Sequence, residues 1–172
     1  CSANMQFVMG GNYRKETTVF GHGYNDQKGS VYFNLNNHST DSRFNMKISG
    51  SYNIENNTLP NYDLTVQAIT LPPDAPPLFD SLKNLNWEKG SFNNPFAIYQ
   101  RTYLARTENL ISNLFMDYQL MTGLHIKSNF GYTNIKLHET SLDPVTSFNP
   151  AYGYTSGYAF FANNTAQTWV IE

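Results

Sequence analysis

Apolar and polar residues alternate along several stretches of this chain, the period of a strand with one wet face. The clearest stretch places Phe44, Met46, Ile48 and Tyr52 on one side and Arg43, Asn45, Lys47, Ser49 and Ser51 on the other, with Gly50 interrupting the apolar side. Met5, Phe7 and Met9 alternate with Gln6 and Val8, and this segment runs on past Gly10-Gly11 toward Val19-Phe20. Val31, Phe33 and Leu35 alternate with Tyr32, Asn34 and Asn36. Further on, Leu110, Leu114, Met116, Tyr118 and Leu120 share a side, opposed by Asn113, Asp117 and Gln119. Leu124, Ile126, Phe130 and Tyr132 then alternate with His125, Lys127, Asn129 and Thr133, in a strand that reaches as far as Leu137. Thr168-Trp169-Val170-Ile171-Glu172 starts another strand. Helix signals are scarce, apart from a short one over Asp63 to Ile69 with Asp63 near its N-cap. The expected class is all-β and antiparallel, with about five or six strands.

The connections are of two lengths. Residues 38–41 and 121–123 read as tight turns. Residues 53–103 and 138–166 read as long loops, the first carrying six of the eight prolines. Its run Leu71-Pro72-Pro73-Asp74-Ala75-Pro76-Pro77 fits neither a central strand nor a helix interior. Short turns at one end and long loops at the other are the build of an outer-membrane β-barrel, with the long loops extracellular. On that reading the apolar faces meet lipid and the polar faces a wet lumen. Five or six strands cannot close a large barrel, so this reading also expects the chain to be a fragment or to share its sheet.

Composition fits a polar, weakly charged β-protein. Aromatics are 15% of residues, charged residues only 14%, and Asn occurs 22 times. Mean hydropathy is -0.47 and net charge -2. With no basic excess, nucleic acid is not an expected partner. No run of apolar residues is long enough for a membrane-spanning helix, which leaves a barrel open. The single cysteine, Cys1, argues against a disulfide scaffold or a cysteine-built metal site. Its place at the start raises lipidation, with a cut end as the simpler reading.

Leu71-Pro72-Pro73-Asp74-Ala75-Pro76, Leu85-Asn86-Trp87-Glu88 with Phe92, and Asn94-Pro95-Phe96-Ala97 come in sequence, followed by Asn109-Leu110-Ile111-Ser112-Asn113, Tyr118, Gly123-Leu124 and Phe130-Gly131-Tyr132. In order and spacing these pieces resemble the SusC/RagA family of TonB-dependent outer-membrane transporters of Bacteroidetes. The likeness is strongest over residues 58–135. The resemblance implies a barrel of about 22 strands in the complete protein. Its implied partners are the remainder of the barrel and plug, a SusD-like surface lipoprotein acting as a lid, and TonB through regions not represented here. Its implied cargo is an oligosaccharide or peptide.

Trp87, Phe92, Tyr99 and Tyr103 are candidates for lining a substrate path, since aromatic rings stack on sugar faces. Their plainer role is to pin a long loop or meet a partner. Asp74 is a candidate ligand contact, with a local backbone bond as the plainer reading. Arg43, Lys47, Asp117, His125 and Lys127 are expected to face the lumen, their mixed signs favouring mutual pairing. Trp169, Tyr118 and Tyr132 suit an aromatic belt at the lipid interface. The histidines, His22, His38, His125 and His138, are dispersed. No metal-ligand spacing, calcium loop or nucleophile elbow is present, so neither an enzyme nor a cofactor is expected.

Two other readings compete. One is a secreted or cell-surface β-sandwich that binds glycans, in which the face holding Phe44, Met46 and Ile48 packs on a second sheet. The other is a surface adhesin using the 53–103 loop.

Overall fold

The computed structural model describes residues 4–21, 23–60 and 62–172. Cys1 and His22, singled out above, lie outside them.

Six strands form a single antiparallel meander in chain order: β1 Met5–Thr17, β2 Asn25–His38, β3 Phe44–Leu59, β4 Thr102–Met121, β5 Leu124–Asp143 and β6 Tyr158–Ile171. The register carries the sequence alternation across the whole sheet. Phe7, Leu35, Ile48, Leu114, Phe130 and Ile171 are successive cross-strand partners and make one apolar row. Asn12, Ser30, Asn53 and Asn109 make a row of opposite parity, on the polar face. Cross-strand pairs of this kind hold register, because a slip of one residue would exchange the two faces.

All-β and antiparallel are thus what the chain builds, but the closed transmembrane barrel is not. β1 and β6 are the two edges of an open sheet, each paired on one side only. Inside hydrocarbon those edges would leave rows of N–H and C=O groups without partners. The expected outer-membrane location and lumen therefore fall with the barrel. No second sheet covers the apolar face either, so the sandwich form of the glycan-binding reading is absent among the described residues. No helix among them is long and apolar enough to cross a membrane.

The strands outrun their sequence signals. β3 continues to Leu59, β5 to Asp143, and β6 begins at Tyr158, so the loops shrink to 60–101 and 144–157. The extensions were hidden because both of their faces are mixed. Asn53-Ile54-Glu55-Asn56-Asn57 and His138-Glu139-Thr140-Ser141 place polar groups on either side, and pairing with neighbours overrides the weak local pattern. The short helix is present as α1, Thr65–Thr70, and Asp63 Oδ1 accepts the Thr65 N–H at 2.8 Å. Thr122-Gly123 closes β4 onto β5, with Gly123 at φ 85°.

Loops 18–24, 60–101 and 144–157 all emerge at one end of the sheet. The buried apolar side chains described, Tyr24, Leu64, Ala97 and Ile98, belong to these loops and not to the sheet. Burial among the described residues is therefore concentrated in a cap at the loop end.

Candidate functional site

Two Asn-Pro dipeptides build the cap. Proline pushes the residue before it toward extended backbone and starts a helical turn at its own position. Asn94 and Asn149 accordingly have ψ 117° and 124° and precede short 3-10 turns at Pro95–Gln100 and Pro150–Tyr152. Each side-chain oxygen accepts the N–H two residues on, from Phe96 at 2.9 Å and from Ala151 at 3.0 Å. Each amide nitrogen then reaches across the cap. Asn94 donates to the carbonyls of Leu78 and Asn86, and Asn149 to the carbonyl of Gly90 and to Asn93 Oδ1. Both residues are buried, and Asn149 ties the 144–157 loop to the 60–101 loop.

Arg101 makes a second tie. Its Nε donates to Ser147 Oγ at 3.2 Å and its Nη2 to the Ser147 carbonyl at 3.3 Å. The guanidinium lies 5.0 Å from the Phe148 ring centre and 5.6 Å from that of Tyr62, within cation–π range.

Between the tied loops lies a hollow of about 640 Å³. Phe79, Phe96 and Tyr99 form one aromatic cluster, joined edge to face at 5.7 and 5.2 Å. Phe148 and Tyr154, 4.9 Å apart, contribute from the other loop, and Trp87 completes the lining. The Tyr99 hydroxyl donates to the Phe20 carbonyl at 2.7 Å, which fixes its ring. Burial, and then the neighbouring Tyr99 phenol, push the Tyr24 hydroxyl above its usual range, so Tyr24 stays neutral beneath this wall. Gln100, Thr146 and Lys83 bring polar ends to the lining. Among the described residues, no carboxylate, imidazole or thiol lines the hollow.

No family model matches the chain. No curated protein matches it either. The SusC/RagA resemblance is thus unsupported by comparison, and the open sheet removes the barrel it implied. The importer reading goes with it, since an open sheet encloses no passage.

The predicted site residues separate. Trp87 and Tyr99 meet in the hollow. Phe92 sits beside it, half-buried, with its N–H bonded to the Trp87 carbonyl. Tyr103 lies on β4 and donates to Glu139 Oε1 at 2.7 Å, a cross-strand bond that raises the phenol's pKa. Asp74 is exposed in the proline-rich turn. The local backbone bonds expected of it belong instead to Asp80, which accepts from the Asn84 and Leu82 N–H groups at 2.9 and 2.8 Å and is held below the usual carboxylate range, chiefly by Asn84.

Lys47, Asp117, His125 and Lys127 share the polar face at the turn end, with no lumen around them, and Arg43 lies in the adjoining turn. Asp117 lies between two basic side chains: His125 Nδ1 is 2.8 Å from Oδ1 and Lys127 Nζ 3.9 Å from Oδ2. Arg43 lies 4.0 Å from Asp41. Tyr132 and Trp169 are direct cross-strand partners with ring centres 4.2 Å apart, and the aromatic belt expected of them goes with the barrel. Sequence reasoning missed Asn149, Phe148, Tyr154 and Arg101. The Asn149-Pro150 dipeptide was the available signal, since it repeats the turn logic of Asn94-Pro95.

Proposed function

We propose that this chain is a glycan-binding module of a secreted or cell-surface protein, and that it binds sugar in the aromatic hollow at the loop end of the sheet. The observation that carries this is the lining itself: six aromatic side chains from two loops, with amide, hydroxyl and ammonium groups among them. Pyranose rings offer apolar C–H faces and a rim of hydroxyls. Fixed aromatic rings bury the former, and neutral polar side chains bond the latter. The absence of acidic side chains from the lining favours binding over hydrolysis, because glycoside cleavage uses a pair of carboxylates. A charge-poor, Asn-rich composition suits the same role.

The test is titration of the Trp169→Phe variant, in which Trp87 is the sole tryptophan, with a panel of neutral oligosaccharides. A saturable change in Trp87 fluorescence is expected. Adding Trp87→Ala should weaken binding, read by calorimetry, roughly tenfold, equivalent to about 1.4 kcal/mol. A panel in which no glycan binds saturably, or binding that is indifferent to Trp87→Ala, would end this reading.

A further inference from the structure

A second hollow, of about 680 Å³, lies on the polar face of β1–β4, away from the loop cap. Tyr32 is its distinctive feature. Gly10 is the cross-strand partner of Tyr32. A Cβ at position 10 would fall 2.6 Å from the Tyr32 ring carbon Cζ and 2.5 Å from its hydroxyl oxygen. The ring therefore lies down over the glycine in place of standing off the sheet, and it remains 46% exposed. A ring laid along a sheet offers its outer side as a platform.

Around the platform stand side-chain amides and hydroxyls. Ser30 Oγ donates to Asn12 Oδ1 at 2.9 Å. Asn53 and Asn109 are cross-strand partners, and the Oδ1 of each is shielded from solvent without a hydrogen bond from the described residues. A shielded carbonyl oxygen with no donor is costly. The terminal amide torsion of Asn is soft, so either group turns readily toward an incoming donor.

The charges near the hollow are already matched. Arg14 pairs with Glu16 at 3.3 Å and Asp26 at 3.4 Å, and Lys28 with Glu55 at 3.2 Å. Among the described residues that line the hollow, both cations, Arg14 and Lys28, are therefore compensated. What remains is a flat ring, hydroxyls and amides with unmet acceptors, which suits a neutral ligand rich in hydroxyl donors.

We propose that this face is a second binding site, for a neutral saccharide stacked on Tyr32 and bonded by Asn53 and Asn109. It stands on residues separate from the loop-end hollow, and the two fail independently. The test follows the side-chain amide resonances of Asn53 and Asn109 by NMR during titration with maltohexaose, cellohexaose and, as the anionic comparator, an oligogalacturonate.

Saturable shifts with at least one neutral sugar are expected, and they should persist in Trp87→Ala. Tyr32→Ala should weaken this binding at least fivefold and Tyr32→Phe should preserve it. Gly10→Ala, which lifts the ring without removing it, should weaken it comparably. Asn53→Thr with Asn109→Thr, which keeps strand-forming side chains, should also weaken it at least fivefold, read from the Asn12 amide. The site is refuted if neither neutral sugar shifts these amides, if the uronate binds more tightly, or if Gly10→Ala and the double threonine variant both bind as the parent does.

Discussion

At the scale of single residues, asparagine serves three distinct purposes in this chain. Asn94 and Asn149 are buried and use both ends of the amide. Replacing either by Ala removes a cap and strands the carbonyls it served, which costs about 2–3 kcal/mol; chemical denaturation should read a loss of that size for Asn149→Ala. Asn53 and Asn109 sit on the open sheet face, and exposed asparagines such as Asn84 close turns onto Asp80.

The exposed carboxylates Asp41, Asp63 and Asp80 are each held below their ordinary range by local hydrogen bonds. A depressed folded value means that the stabilisation is in place above the unfolded pKa, about 4, and is lost as pH falls through the folded one. The denaturation midpoint should therefore fall on acidification below that region. Asp80→Asn should show a shallower fall than the parent, and an equal fall would contradict the assignment.

At the scale of elements, the strands are specified by alternation at the turn end and by pairing at the loop end. Phe44 to Ile48 needs no neighbour to be legible, whereas Asn53 to Asn57 becomes strand only because β2 and β4 flank it. The β4–β5 hairpin depends on a single positive φ at Gly123, where an added Cβ would meet nothing within 4 Å. The cost of Gly123→Ala is then one of backbone conformation alone, about 1 kcal/mol. Thermal unfolding should show a modest drop with unchanged sheet circular dichroism. A drop as large as that of Asn149→Ala would mean that the turn does more than reverse the chain.

At the scale of the whole molecule, the two ends and the two faces differ in kind. The loop end holds the buried residues and the aromatic hollow. One sheet face is amide-rich, and the other carries an apolar row from Phe7 to Ile171 with Met9, Trp169 and Ile171 each about 70% exposed. An apolar patch of this extent attracts apolar probes. A fluorescent apolar dye should bind the folded chain, and Leu114→Thr with Phe130→Thr should reduce the signal while strand content is kept. Undiminished dye binding would place the apolar surface elsewhere.

Sequence alone determined the strand identities, the two faces, the tight turns and the aromatic character of the long loops, because side-chain alternation and proline or glycine chemistry act over a few neighbouring residues. It placed Trp87 and Tyr99 among the candidates for the same local reason. It did not determine closure: a strand with one apolar face reads alike in a barrel, a sandwich or an open sheet, and only the pairing of β1 and β6 distinguishes them. Nor did it bring Phe148 and Tyr154 to the hollow, since they lie some fifty or more residues from Trp87 and Tyr99 and meet them through Asn149 and Arg101. Such contacts are a property of the folded cap, set by hydrogen bonds between loops that no local pattern encodes.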